Sequence, residues 1–121
     1  MHTRILLTLA AVMMLGACKG EKPIYLTCSD TALKLPGEIG QTFTIECPQL
    51  CTGHSVWGGA ENDYTADSSV CNAAIHAGAV PAAGGTTKVT LGKGKPKFKG
   101  SSKNGVTTSD WNEKFDKTFG F

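Results

Sequence analysis

Cysteine is the residue type in this 121-residue chain that is most able to do chemistry, and the chain contains five cysteines. A thiol can form a disulfide, bind zinc, carry a redox reaction or accept a lipid. A structural zinc site favours Cys-x2-Cys pairs, and a thiol–disulfide oxidoreductase needs Cys-x-x-Cys where a helix begins. The closest pair, Cys47 and Cys51, is one residue too long for either motif. The spacing favours structural disulfides, and we predict neither a metal nor a cofactor.

The first seventeen residues have the form of a lipoprotein signal peptide. Arg4 supplies a positive charge, and residues 5–15 form an apolar run that is too short to span a bilayer, which needs about 20 residues. The stretch Leu15-Gly-Ala-Cys18 resembles the bacterial lipobox, in which a signal peptidase cuts before the cysteine and the thiol carries a diacylglyceryl group. An ordinary signal peptide with a nearby cysteine is the alternative. We predict a signal peptide at 1–17, lipidated Cys18 and a tether at 18–25, and one domain at 26–121.

The predicted anchor places the protein in the bacterial cell envelope, with the membrane as its partner through Cys18. Lys19 follows this cysteine, whereas an aspartate at that position retains the lipoproteins of some bacteria in the inner membrane. The sequence therefore favours the outer membrane, on its periplasmic or surface face.

Removing Cys18 from the count leaves an even set of four cysteines, namely Cys28, Cys47, Cys51 and Cys71. An exported domain with a small core is expected to join such cysteines in disulfides. Four cysteines can pair in three ways, and their spacing leaves all three open. Each bridge that closes a loop of about 15 to 20 residues would stabilise the fold by about 3 kcal/mol.

Catalysis finds little support in the sequence. It contains no Gly-x-Ser-x-Gly, no His-Glu-x-x-His and no Gly-x4-Gly-Lys-Ser/Thr. His76 could act as a base, with Ser68 or Ser69 nearby in sequence. A lone histidine on a helix is more often a hydrogen-bonded group of the core, and we interpret His76 in that way. We predict that the protein is not an enzyme.

Lysine recurs at every second position in Lys93-Gly-Lys-Pro-Lys-Phe-Lys99, within a stretch from 68 to 109 that holds six lysines and no acid. If the segment is extended, four side chains point one way at a spacing of about 6.5 Å, while Pro96 and Phe98 point the other way. The four are Lys93, Lys95, Lys97 and Lys99. Such a ridge suits an anionic lipid, lipopolysaccharide or polysaccharide. The alternative is an edge strand whose lysines and proline prevent aggregation. Nucleic acid is not expected, because the chain is exported and its ridge has one aromatic residue.

The stretch around residues 67–80 is predicted to be the centre of the fold. Asp67 or Ser68 can cap a helix of about residues 69–77, and Gly78 can end it. Its apolar residues cover nearly the whole circumference, so the helix should be wrapped by other elements. Outside it, alternation predicts strands at 42–47 and 86–91, short strands at 24–26, 54–59 and 64–65, an amphipathic turn around Trp111 and Phe115, and a closing strand.

Several motifs of this sequence occur together, in order, in a known module. They are Cys28-x18-Cys47-Pro-x-x-Cys51, Val56-Trp-Gly, Tyr64-Thr, Asp67-Ser-Ser-Val-Cys71, Ala73-Ala-Ile-His-Ala-Gly78, Gly84-Gly85, Phe98-x-Gly-Ser-x-x-Asn-Gly-Val106, Trp111 and Phe119-Gly-Phe121. From about Leu26 to Phe121 the chain resembles the LCCL domain, which occurs in secreted proteins. The family is best known from larger animal proteins, whereas this chain looks like one domain on a lipid anchor.

The resemblance implies an α+β fold with a central helix at about 69–77, wrapped by irregular antiparallel β-sheets. It also implies disulfides that pair Cys28 with Cys47 and Cys51 with Cys71. The resemblance also implies that four residues have a structural role in the fold, namely Trp57, His76, Gly78 and Trp111.

For function, the resemblance implies an extracellular, non-catalytic module proposed to bind lipids such as lipopolysaccharide. We expect an envelope lipoprotein that binds an anionic lipid or glycan through the lysine ridge. The alternative is a structural lipoprotein that docks another envelope protein, through the surface around 54–57.

Overall fold

The central element of the fold is a helix whose sequence is apolar on almost every side. The computed structural model describes residues 22–121, and helix α1 runs from Val70 to Ala77. All of its residues except the last are buried. Such a helix is stable only when other elements cover it on all sides. The predicted central, wrapped helix is therefore confirmed.

Both ends of α1 are capped. The Ser69 side chain accepts a hydrogen bond from the backbone N–H of Asn72, which satisfies one free donor of the first turn. The cap thus lies one residue beyond Ser68, the later of the two predicted positions. Gly78 ends the helix as predicted, in the left-handed conformation with φ of 79°.

In the described part of the chain, seven strands accompany the helix: β1 (Ile24–Tyr25), β2 (Thr42–Cys47), β3 (Tyr64–Thr65), β4 (Gly85–Lys95), β5 (Ser102–Lys103), β6 (Val106–Thr107) and β7 (Phe115–Gly120). Five of them form a sheet in the order β1-β2-β4-β7-β3. Only the outer pair β1–β2 is parallel, and the other pairs of this sheet are antiparallel. The α+β fold class with irregular sheets is confirmed.

Alternation along the strands sets the inner face of the sheet. Val89, Leu91 and Phe119 are each at most 1% exposed and belong to the core cluster that also contains most of α1. Strand β4 continues to Lys95, beyond the predicted end at Leu91. The predicted strand at 54–59 is not found as a continuous strand, and only isolated β-bridges form there. In place of the predicted amphipathic turn around Trp111, this residue pairs with Phe98 in an isolated β-bridge.

Strands β5 and β6 form a separate two-stranded hairpin. Its turn is Asn104-Gly105, and both residues have positive φ, at 53° and 79°. Asn-Gly is the residue pair that such a turn favours. The Asn104 side-chain amide donates to the His76 carbonyl at 2.8 Å, so the hairpin is fixed against the end of α1.

The two disulfides join Cys28 to Cys51 and Cys47 to Cys71, with Cα–Cα distances of 5.0 and 5.5 Å. This arrangement contradicts the predicted pairing of Cys28 with Cys47 and of Cys51 with Cys71. Cys47 ends β2 on the buried face, where it reaches the first turn of α1. The turn that follows, with Leu50 at φ of 60°, leads Cys51 back to Cys28. The chain segments that carry the four cysteines meet at the start of α1, so the spacing of the cysteines in the sequence does not determine which of them pair.

The predicted signal peptide at 1–17 and the lipidated Cys18 lie outside the described residues, as do residues 18–21 of the predicted tether at 18–25. They remain predictions. Within residues 22–121, no helix is long and apolar enough to cross a membrane.

Candidate anion-binding surface

The four lysines of the predicted ridge divide into two groups. Lys93 and Lys95 belong to β4, and the other two follow the end of that strand. Lys93, Lys97 and Lys99 are exposed, whereas Lys95 is half-buried. Phe98 is 1% exposed, so it lies in the interior while its two lysine neighbours lie at the surface.

The Lys95 ammonium group forms ion pairs with two carboxylates. Its Nζ lies 2.7 Å from an oxygen of Asp63 and 3.2 Å from an oxygen of Glu61. It also lies 5.3 Å from the centroid of the Phe98 ring, a favourable cation–π distance. The hydrogen bond to Asp63 raises the pKa of Lys95 above its usual value, although burial opposes this effect. Lys95 thus ties the end of β4 to the loop before β3 and is not free to bind a ligand.

The predicted ridge of four evenly spaced lysines is therefore interrupted. Pro96 is exposed and does not lie on the inner side, because the strand ends before it. What remains is a set of three, Lys93, Lys97 and Lys99, which we call the lysine surface. Within residues 22–121, no carboxylate oxygen lies within 4.0 Å of any of its three ammonium nitrogens.

Hydrogen bonds fix the backbone beneath the lysine surface. Phe98 and Trp111 exchange two of them, with N···O distances of 2.8 and 2.9 Å. The carbonyl of Lys99 accepts from the Ala60 N–H at 3.0 Å, and that of Lys93 accepts from the Thr118 hydroxyl at 3.1 Å. A fixed backbone holds the Cα atoms of these lysines in place, so little backbone entropy is lost when the side chains bind an anion.

His76 lies at the centre of a buried polar group. Its Nδ1 is 2.9 Å from the Tyr64 hydroxyl, and its Nε2 is 3.2 Å from the carbonyl oxygen and 3.0 Å from the hydroxyl of Ser101. Tyr64 and His76 are both fully buried. Burial lowers the pKa of His76 and the positive charge of Lys103 adds to this, while the hydrogen bond with the Ser101 backbone opposes it.

Whether this polar group could catalyse a reaction depends on which of its atoms carry the protons. Burial raises the pKa of Tyr64, so its hydroxyl stays protonated and can donate to Nδ1. The Ser101 carbonyl can only accept a hydrogen bond, so its contact with Nε2 assigns the proton of neutral His76 to that nitrogen. A protonated Nε2 cannot take a proton from the Ser101 hydroxyl. The arrangement resembles a nucleophile and its base, yet its hydrogen bonds make it a structural link.

The serines that lie near His76 in sequence are bonded elsewhere. The Ser69 hydroxyl caps α1 and donates to the Cys28 carbonyl at 2.7 Å. The Ser68 hydroxyl accepts from the Trp57 N–H at 2.8 Å. The histidine partner is instead Ser101, 25 residues away in sequence, and no spacing rule points to such a distant partner.

The remaining predicted structural residues lie in the packing of the fold. Trp57 and Trp111 make an edge-to-face contact with centroids 5.7 Å apart, and Trp111 continues the contact to Phe115 at 6.4 Å. Both tryptophans are half-buried. In the alternative docking surface, His54 is exposed, and its backbone N–H donates to the Asn72 side chain at 2.9 Å.

A metal site and a ligand-binding groove are two other kinds of site that the fold could provide. In the described part of the chain, no group of three His, Cys, Asp or Glu side chains is placed to hold a metal ion. A shallow groove of about 420 Å³ lies at the C-terminal end of α1, where it is lined by Ile75, Gly78, Val80, Pro81, Ala82 and Asn104. The groove contains no charged or catalytic side chain.

Comparison with known protein families gives one match that covers most of the chain. The family model described as "LCCL domain" matches residues 26–118. These bounds take in both disulfides, helix α1 and the whole lysine surface.

Individual proteins match the same region over part of their length. "Clotting factor C" of Tachypleus tridentatus is 38% identical over 85 residues, which are 69% of this chain and 8% of that protein. "Vitrin" of Homo sapiens is 34% identical over 80 residues, which are 64% of this chain and 12% of that protein. "Cochlin" of Bos taurus is 29% identical over 129 aligned positions, covering 90% of this chain and 22% of that protein. The chain thus spans a small part of each of these relatives.

Proposed function

We propose that this chain, which belongs to the LCCL domain family, is a non-catalytic binding module that holds anionic lipid, lipopolysaccharide or polysaccharide on its lysine surface. We further propose that it acts as a lipoprotein of the bacterial cell envelope, attached through Cys18. The first proposal concerns a surface of the described domain. The second concerns the N-terminal residues and rests on the lipobox sequence alone.

The observation that carries the binding proposal is the unpaired charge of Lys93, Lys97 and Lys99. Within the described residues these ammonium groups have no carboxylate partner, while Lys95 beside them has two. A lysine near an anionic membrane surface contributes up to about 1 kcal/mol of attraction, which weakens as salt rises. Three such lysines on a fixed backbone would give a useful affinity for a surface of phosphate groups.

The absence of a catalytic step in this proposal follows from the His76 group. The tautomer that satisfies Tyr64 and Ser101 leaves His76 without a free site to accept a proton. A membrane lipid or a polysaccharide is then bound and released unchanged.

Vesicle flotation tests the binding proposal. A chain that starts at residue 19, produced in an oxidising compartment, has no lipid anchor of its own. We expect it to float with phosphatidylglycerol vesicles at low salt, and not with phosphatidylcholine vesicles. Added lipopolysaccharide should compete. Equal flotation with the neutral vesicles, or none with the anionic ones, would remove this function.

The lipoprotein proposal has a separate test. The intact mass of the full chain, purified from a bacterial membrane, should equal that of residues 18–121 plus the acyl groups of a lipidated cysteine, less four hydrogens for two disulfides. A mass that retains residues 1–17, or lacks the acyl groups, would contradict it.

Protein docking is a second candidate function, favoured by an uncharged surface. Residues 47–60 contain no Lys, Arg, Asp or Glu. Within this stretch Leu50 is 67% exposed, and its backbone N–H is held by the Ala82 carbonyl at 2.7 Å. Crosslinking from position 54 or 50 in the cell should then recover one envelope protein that excess lipopolysaccharide does not displace.

A further inference from the structure

A pair of lysines lies on adjacent strands next to the lysine surface. In the antiparallel pairing of β4 with β7, the register places Lys93 directly opposite Lys117. Side chains that are directly opposite on one face have Cβ atoms about 4.5–5.5 Å apart, and like charges in this position destabilise a sheet. Sequence patterns did not reveal this pair, because 24 residues separate its members.

The charge of this pair is not balanced by the protein. Two neighbouring lysines do have acidic partners, since Lys95 is bonded to Asp63 and Glu61, and Lys114 lies 3.6 Å from Asp116. Within residues 22–121, neither Lys93 nor Lys117 has a carboxylate oxygen within 4.0 Å. Lys93 is exposed and Lys117 is half-buried, so an anion can reach both from solvent.

The backbone of both lysines is held in place. The Lys93 carbonyl accepts from the Thr118 hydroxyl at 3.1 Å, and the Lys117 carbonyl accepts from the Ala66 N–H at 3.0 Å. Beside them, Gly94 lies so close to β7 that a Cβ there would clash with the backbone of Phe115 and Asp116. The two strands are therefore held close together here, and the two lysine side chains start from directly opposite positions.

We propose that Lys93 and Lys117 form a two-lysine site for one phosphate group, carried either by a lipid headgroup or by free phosphate. This deepens the proposed function, on which it rests, by naming the phosphate as the bound group and by adding Lys117 to the site. One phosphate between the two ammonium groups replaces their repulsion with two charge-assisted hydrogen bonds.

Thermal unfolding of the full chain in a neutral detergent, followed by tryptophan fluorescence with inorganic phosphate as the probe, tests the site. Since a ligand that binds only the folded state raises its stability, phosphate at tenfold its Kd should raise Tm by about 5 °C or more. Phosphate also stabilises folded proteins through its exclusion from their surface. The readout is therefore the difference between variants, at matched ionic strength.

Lys88→Ser is the matched control, because Lys88 is an exposed lysine of β4 whose side chain lies on the opposite face of the sheet from that of Lys93. We expect the wild type and Lys88→Ser to respond fully to phosphate, and Lys93→Ser and Lys117→Ser to keep only the small general effect. Lys117→Glu should raise Tm without phosphate, because it supplies a partner for Lys93, and should abolish the specific response. Equal responses in all five proteins would overturn the site.

Vesicles distinguish the two sources of phosphate. Weaker flotation of Lys117→Ser with phosphatidylglycerol would assign the site to a headgroup, because this variant keeps the three lysines of the lysine surface. Flotation equal to that of the wild type, with the response to inorganic phosphate lost, would assign it to free phosphate. The titration contains no membrane lipid, so its failure leaves the vesicle result of the proposed function intact, and the reverse also holds.

Discussion

The Tyr64 hydroxyl lies 2.9 Å from Nδ1 of His76, within hydrogen-bond distance, and both side chains are fully buried. Around it, the Tyr64 ring stacks on Phe119 with centroids 5.3 Å apart. The contact links helix α1 to strand β3 and, through Phe119, to β7. A charge on His76 would be buried beside a hydroxyl that donates to it.

The His76 link predicts a loss of stability in mild acid. Burial lowers the pKa of His76 in the folded state, so the unfolded chain binds the extra proton more readily. The stabilising contribution is complete above the unfolded pKa of about 6.5 and is lost as pH falls below it. We expect the free energy of unfolding, measured with urea, to decrease from pH 7 to pH 5.

Two variants make this pH profile specific. His76→Gln should be less stable at pH 7 and show a flatter profile, because it has no imidazole to protonate. His54→Gln is the matched control, because it removes an exposed histidine with the same substitution. A profile that is the same in His76→Gln and the wild type would assign the pH dependence to other groups.

Disulfide connectivity separates the arrangement found here from the one that the family resemblance implied. Changing Cys28 and Cys51 to Ser removes one bridge and leaves Cys47 bonded to Cys71. In the chain that starts at residue 19, that variant should have no free thiol and be less stable by about 3 kcal/mol, the usual cost for a loop of this size.

Changing Cys28 and Cys47 to Ser is the counterpart. It removes one member of each bridge, so it should show two reactive thiols and a larger loss of stability. The reverse result, two thiols in the first variant and none in the second, would restore the implied pairing. A thiol-reactive dye applied to the unreduced proteins in guanidinium chloride gives both counts, because Cys51 and Cys71 are buried in the folded state.

Lys95 and Lys97 should respond differently to the same substitution. Lys95→Ser removes an ion pair with Asp63 that is partly shielded from water, so we expect a loss of about 1 kcal/mol. Lys97→Ser changes an exposed side chain and should alter stability by less than about 0.5 kcal/mol. Urea unfolding of both variants provides the comparison, and equal losses would contradict the role given to Lys95.

Local sequence signals predicted the elements whose stability comes from their own pattern. The apolar circumference of α1, the left-handed Gly78 and the alternation of β2 all depend on neighbours within a few residues, and all were found. The hairpin β5–β6 had such a signal too, since Asn104-Gly105 is a strong turn sequence, but its significance for structure was missed.

The features that sequence could not predict are contacts between distant residues. Asp63 lies 32 residues from Lys95, so alternation indicated a free lysine where the structure has an ion pair. Strand β4 extends to Lys95 because β7 pairs with it, and glycines at 92 and 94 allow a close approach. The disulfide partners were not predictable for a similar reason, because they depend on how β2 and its turn meet α1.

The affinity of the anchor-free chain for phosphatidylglycerol vesicles tests the lysine surface most directly, when Lys93, Lys97 and Lys99 are all changed to Ser. A control with the same loss of charge changes Lys34, Lys88 and Lys114 instead, two of which already have acidic partners. At about 1 kcal/mol for each lysine, the first variant should bind about 100-fold more weakly at low salt, while the control binds nearly as well as the wild type. Equal affinity in all three proteins, or the same loss in both variants, would contradict binding through this surface.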